Sequence, residues 1–165
     1  MQRISFAGAA RGLTQAPHYA FSSTPVGAGL MDVGINRSGI LQVNQTWSVP
    51  EIAGGTSNTI LLSEDAGRPD DWRGGGVKAA TGTRTDWADH DNEFVVHGFT
   101  ADGSASPGPC HTNCTNGNEV YSFHSGGANH VFGDGSVRYI RASMDIRQFV
   151  KLVTRSGNEV IANID

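Results

Sequence analysis

Long apolar runs are missing from this chain, and no stretch approaches the ~20 residues that a membrane-spanning helix needs. The start, Met1-Gln2-Arg3-Ile4-Ser5-Phe6, has no apolar stretch of signal-peptide length. Read alone, the sequence is either a piece that lacks its export segment or a cytoplasmic protein. Positive charge is also scarce: 12 Lys+Arg stand against 16 Asp+Glu, for a net charge of −4. Without a basic cluster to follow a phosphate backbone, nucleic acid is not an expected partner. Apolar residues make up only 38% while glycine reaches 22 residues. That composition predicts short strands, many loops and a modest core.

Catalytic signatures are equally scarce. There is no Gly-x-Ser-x-Gly elbow around a nucleophile, and Gly74-Gly75-Gly76-Val77-Lys78 lacks the Gly-Lys-Ser/Thr ending of a phosphate loop. Glu64 and Asp65 are neighbours, so on a strand they point to opposite faces and cannot work as an acid–base pair. The chemistry of an enzyme, if there is one, must come from histidines and carboxylates on loops.

The 165 residues are enough for one domain with a core. The expected organisation is a single globular domain over 1–165, with an irregular part over 1–50. Its expected fold class is α+β: a small antiparallel β-rich head with long loops and one C-terminal helix. Ile40-Leu41-Gln42-Val43 is a short strand candidate, and Thr59 to Glu64 reads as a buried strand bounded by turn residues. Residues 65–92 read as a long polar connection, followed by a strand candidate at Phe94-Val95-Val96-His97. Glu119 to Phe123 alternates polar and apolar side chains.

The last third is the most legible. Asp134-Gly135 between His130-Val131-Phe132 and Ser136-Val137-Arg138-Tyr139-Ile140 predicts a hairpin with a type I′ turn. Val137 and Tyr139 should share one face, Arg138 and Ile140 the other. A helix over about 146–155 follows, capped by Ser143 or Asp145, with Ile146, Phe149, Val150 and Val153 on one stripe and Gly157 at its end. Glu159-Val160-Ile161 is a candidate for a final strand.

Four groups of residues are candidates for function. Asp89 and Asp91, with Asn92 and Glu93, present alternating oxygens that suit a hard cation such as calcium, although the pattern is not an EF-hand. A solvated turn explains them equally well. Six histidines are present, and His97, His111, His124 and His130 fall close to Cys110 and Cys114. With the cysteines they form a candidate zinc set, since Cys110-x3-Cys114 fits ligand spacing and His124-x5-His130 sits at its limit. The simpler reading is histidines bonded to backbone carbonyls. The cysteines have three open uses: a small-loop disulfide, half a zinc site, or free thiols. Trp47, Trp72 and Trp87 are candidate stacking platforms for carbohydrate, or core anchors in a chain short of aliphatics. A couple of His124 with Asp134 is a further arrangement to weigh, though turn chemistry accounts for Asp134 better.

Several segments agree in order with one family. They are Gly55 to Glu64, Trp87-Ala88-Asp89, Asp91-Asn92, His97-Gly98-Phe99, Pro107-Gly108-Pro109-Cys110, Asn113-Cys114-Thr115-Asn116, and His124 followed after nine residues by Asp134-Gly135. Val153 to Ile161 completes them. The chain resembles the secreted bacterial proteins, typical of planctomycetes, that carry a prepilin-type cleavage and methylation segment and an H-x9-DG signature. The match covers about 50–161.

The resemblance implies a pseudopilin-like layout, with a hydrophobic N-terminal helix before a small β-rich head. It places the full-length protein outside the cell or on its surface, and treats this sequence as beginning inside the head. That setting favours a Cys110–Cys114 disulfide. Other pilin-like subunits and surface polysaccharide are the expected partners. No catalytic residue carries over from the family. The expected function is a structural or binding domain; the alternatives are a zinc-type hydrolase of phosphoesters or esters and a carbohydrate-binding module.

Overall fold

Ile60 to Glu64 lies at the centre of the architecture because its apolar residues meet partners on both sides. A computed structural model describes residues 13–15, 38–41, 45–68, 70–81 and 95–157. The strands are β1 (Leu13–Gln15), β2 (Ile60–Glu64), β3 (Asp70–Arg73), β4 (Val77–Thr81), β5 (Gly127–Phe132) and β6 (Val137–Arg141). The helix α1 spans Ile146–Val153. A four-stranded sheet runs in the order β1-β2-β5-β6, and β3 pairs with β4 in a separate hairpin. Every pairing between these strands is antiparallel. The α+β class expected from the sequence is the observed one.

The inner face of the sheet is covered, whereas the outer face is exposed on β6 and packed at Leu62 of β2. On β5, Ala128, His130 and Phe132 are buried while Asn129 and Val131 are half-buried, the period-2 alternation of a strand with one face packed. Ile140 of β6 joins the covered side, and Val137 and Tyr139 face outward together, as the sequence predicts. Helix α1 covers the inner face with Phe149, Val150, Leu152 and Val153, all buried with Ile60, Val96, Val120, Phe132 and Ile140. Burial of side chains of this size contributes about 1.5–3 kcal/mol each. A second, smaller cluster of Ile40, Ile52 and Leu61 sits on the other side of β2.

The hairpin tip differs from the expected turn. Phe132 N–H donates to the Ser136 carbonyl, and Gly135 N–H donates to the Phe132 carbonyl, both at 2.9 Å. Gly135 has φ of +85° but Asp134 is not in the left-handed region. The loop therefore holds three residues, Gly133 to Gly135, in the arrangement of a turn followed by a glycine bulge, rather than the two of a type I′ turn. Asp134 accepts from Ser136 N–H at 2.9 Å and from the Ser136 hydroxyl at 2.7 Å, which secures the turn.

Other expectations are corrected. The polar connection after residue 65 contains the β3–β4 hairpin, turned by Gly74–Gly76. Asp70-Asp71-Trp72-Arg73 is poor in β-branched residues, so propensity hides it. Val95 to His97 is loop instead of strand, and 119–123 contributes only isolated bridges, Asp65 with Tyr121 and Thr112 with Val120. Residues 38–41 are not a strand, and 42–44 lie outside the described residues, as does 159–161. The helix cap is Asp145, which accepts from Arg147 N–H at 2.8 Å; Ser143 plays no such part. The helix stops at Val153, where Thr154 turns extended, before Gly157 is reached.

Phe149 is fully buried against both sheet and loops. Phe149→Ala is expected to lower unfolding stability by about 3–5 kcal/mol, measured by urea denaturation. Val137→Ala, on the outer face, is expected to stay within about 0.5 kcal/mol of the parent chain.

Candidate functional site

His111 lies in the turn that Cys110 and Cys114 close with a disulfide, their Cα atoms 6.1 Å apart. Both cysteines are therefore unavailable as zinc thiolates. His111 is fully buried, and its ring stacks on Phe149 with centroids 4.2 Å apart. Nε2–H donates to the Met144 carbonyl at 2.9 Å, which leaves Nδ1 to accept the Thr112 hydroxyl at 2.8 Å. His130, also fully buried, meets Phe149 edge-on, with ring centroids 5.6 Å apart. Its Nδ1 shares a 2.8 Å hydrogen bond with the Ser63 hydroxyl. A serine–histidine contact of that length suits nucleophilic catalysis, but both residues are shut away from solvent. Burial lowers His111 from 6.5 to about 4. Burial, then the nearby His111, lowers His130 from 6.5 to about 3. Both rings are neutral parts of the core.

His97 is engaged differently. Its backbone N–H (2.9 Å) and Nδ1 (2.7 Å) both bond to Glu119 Oε1. Glu119 is fully buried, and desolvation raises its carboxyl from 4.5 to about 7, against the opposing pull of His97. The pair fixes the segment around His97 to the bend that precedes the Val120 and Tyr121 bridges.

His124 completes the set. Its imidazole is more than half exposed, and Nε2 lies 3.3 Å from Glu64 Oε1. Glu64 also accepts from Asn129 N–H at 2.8 Å and from its side-chain amide at 3.1 Å. Asp134 is not the partner of His124; its carboxylate belongs to the hairpin turn. As the strand alternation requires, Glu64 and Asp65 point apart, and Asp65 pairs with Arg68.

The four candidate histidines thus have four separate partners. Among the described residues no three His, Cys, Asp or Glu side chains come together to hold a metal ion. Asp89, Asp91 and Trp87 lie outside the described residues. Trp47 is half-buried, with the Arg155 guanidinium 3.7 Å over its ring. Trp72 is half-buried too: its indole N–H donates to the Gly67 carbonyl at 3.1 Å, and its edge meets Phe123 at 5.2 Å. Asn116 holds this region, accepting from Trp72 N–H at 2.8 Å and donating to the Ala66 and Asp70 carbonyls. Gly67 has no room for a side chain, since a Cβ there would sit 2.4 Å from the Trp72 ring.

Sequence reasoning missed Glu119 as the partner of His97, and Glu64, Asn129 and Tyr139 as neighbours across the sheet. Pairing of β2, β5 and β6 brings the last three together, and no local pattern shows that pairing. Phe123 is 62% exposed, unusual for so large an apolar side chain.

The arrangement is a small α+β fold with a four-stranded antiparallel sheet and an intraloop disulfide. A model of the family described as "Protein of unknown function (DUF1559)" matches residues 5–147, and the chain belongs to that family. The match begins well before residue 50, so the N-terminal part belongs to the family as well. No curated protein and no solved structure matches the chain.

The titrating core groups predict a pH profile. Between about 4.5 and 6.5 the unfolded chain binds two protons, at His111 and His130, that the fold refuses. The fold retains one, at Glu119, that the unfolded chain releases. The unfolded state is thus ahead by one proton, two against one. Stability should rise with pH across this window, by about 1.4 kcal/mol per unit, and fall slightly from 6.5 to 7 as Glu119 is forced to ionise. Urea denaturation at stepped pH measures it. In His111→Phe the balance becomes one against one and the rise should vanish; an unchanged slope would refute the account.

Proposed function

We propose that this chain is the globular head of a pilin-like protein that works outside the cytoplasm as a structural and binding domain, without catalysis of its own. The observation that carries the reading is the Cys110–Cys114 disulfide, because the turn it closes delivers His111 into the core. A disulfide with a structural task fits an oxidising compartment and is rare in a reducing cytosol. Supporting it, the His124 and Asp134-Gly135 signature serves architecture: one end braces Glu64 and the other makes a turn. No helix among the described residues is long and apolar enough to cross a membrane. Anchoring in this reading belongs to an N-terminal hydrophobic helix of the pilin type. Other subunits of the same kind are its natural neighbours.

The test is made on the full-length gene product in its own host. Surface or periplasmic fractions should contain a form with a trimmed, N-methylated terminus by mass spectrometry. Its cysteines should resist maleimide until a reductant is added. A cytoplasmic, untrimmed precursor with reactive thiols would overturn the proposal.

A further inference from the structure

Asn116-Gly117 is the one Asn-Gly pair in the sequence. Asparagine before glycine is especially open to attack on its own side chain, because no Cβ shields the following backbone nitrogen. The fold places this pair under close restraint. Asn116 is 1% exposed, and both polar atoms of its amide are engaged. Oδ1 accepts from Trp72 N–H at 2.8 Å, while Nδ2 donates to the Asp70 carbonyl at 2.8 Å and the Ala66 carbonyl at 3.0 Å. Its backbone N–H donates to the Trp72 carbonyl at 3.2 Å. Gly117 N–H donates to the Thr115 hydroxyl oxygen at 3.3 Å, and its carbonyl accepts from Arg68 at 2.9 Å. The backbone itself does not require a glycine here. A Cβ on Gly67, Gly103, Gly108 or Gly127 would come within 2.4 Å of a neighbouring atom. One on Gly117 would meet only the Thr115 hydroxyl, at 3.6 Å, an ordinary contact. Nor is Gly117 in the left-handed region.

We infer that Asn116 is a deamidation site which the folded state keeps shut, so that a chain held open does not close again. This goes beyond the pilin-like reading and does not depend on it. In the open chain Gly117 N attacks Asn116 Cγ, and a five-membered succinimide ring forms. The Cγ–Nδ2 bond breaks, and ammonia leaves with the proton from Gly117 N. Water then opens the ring at either carbonyl, giving aspartate or isoaspartate. No electrons are exchanged, and water is the only other reactant. In the folded chain the attack requires the side chain to swing toward its own C-terminal neighbour. That swing leaves Trp72 N–H and the Ala66 and Asp70 carbonyls without the amide that satisfies them. The product cannot take the amide's place. Aspartate offers no proton when ionised and one when protonated, where the Ala66 and Asp70 carbonyls each receive one from the amide. Isoaspartate lengthens the main chain by one carbon at the residue that anchors β3. Chemical change of the open state is a general route from reversible to irreversible unfolding.

Peptide mapping by mass spectrometry tests this on the 165-residue chain with its disulfide intact. The chain is held at mildly alkaline pH, either folded or in enough urea to unfold it. In urea, Asn116 should convert before any other asparagine, to a mixture of aspartate and isoaspartate. In the folded chain its conversion should be at least about 10-fold slower, following the population of the open form. After dilution from urea, the fraction that fails to recover native tryptophan fluorescence should grow with time spent unfolded and match the converted fraction. Gly117→Ala should fold as the parent does, convert several-fold more slowly in urea and keep its recovery for correspondingly longer. Asn116→Asp should lower the urea midpoint or fail to fold, and Gly117→Ala carries the test in either event. Equal conversion of folded and unfolded chains would overturn the inference. So would a deamidated chain that refolds with the parent's urea midpoint, or a loss of recovery that Gly117→Ala leaves unchanged.

Discussion

The contact of Phe149 with two neutral histidines is the one on which the rest of the molecule depends. The Phe149 ring stacks on His111 and meets His130 edge-on, so one side chain joins the helix, the disulfide turn and the sheet. Each histidine is in turn fixed by an uncharged partner, Thr112 and Met144 for the first and Ser63 for the second. A small chain with few aliphatics gains from this, because imidazole gives aromatic area and directed bonds at once. The arrangement works only while both rings are uncharged, since a cation in that pocket would be stripped of its water.

From that contact the positions of the loops follow. His111 places the disulfide turn, and Asn113 beside it accepts Ser122 N–H at 2.7 Å from its left-handed conformation. Asn116 then gathers three backbone groups around Trp72. Glu119 holds His97 by two bonds. Four consecutive polar anchors thus take the place of regular structure between residues 95 and 126. With the inner sheet face closed by α1, Glu64, Asn129 and Tyr139 line up across the outer face.

Much of this was legible. The β2 strand, the β5–β6 hairpin, the helix and the sharing of a face by Val137 and Tyr139 all follow from short-range patterning. The same rules placed Asp134 in a turn and kept Glu64 from Asp65. What escaped was decided by contacts between residues far apart in the chain. The β3–β4 hairpin is turned by glycines but built from residues with low strand propensity. Spacing made His97, His111, His124 and His130 look like a ligand set, yet pairing of distant segments gave each its own partner. The turn at Gly135 departed from type I′ because Gly133 is pinned to the Thr59 carbonyl and Asp134 N–H to that of Thr56, contacts from 74 and 78 residues earlier in the chain. A row across three strands has no sequence signature, since Glu64, Asn129 and Tyr139 lie 10 to 75 residues apart.

His124 and Asp134-Gly135 flank β5, and the two ends of that strand are secured in different ways, by a contact with Glu64 and by a turn. The central claim is that this architecture turns on two uncharged core histidines. Imidazole-selective proton–nitrogen NMR spectra recorded from pH 7 to 5 address it directly. His111 and His130 should remain neutral at pH 5, with His111 carrying its proton on Nε2 throughout. Titration of both rings near their ordinary value of 6.5 in the folded protein, or an Nδ1–H tautomer at His111, would contradict the account.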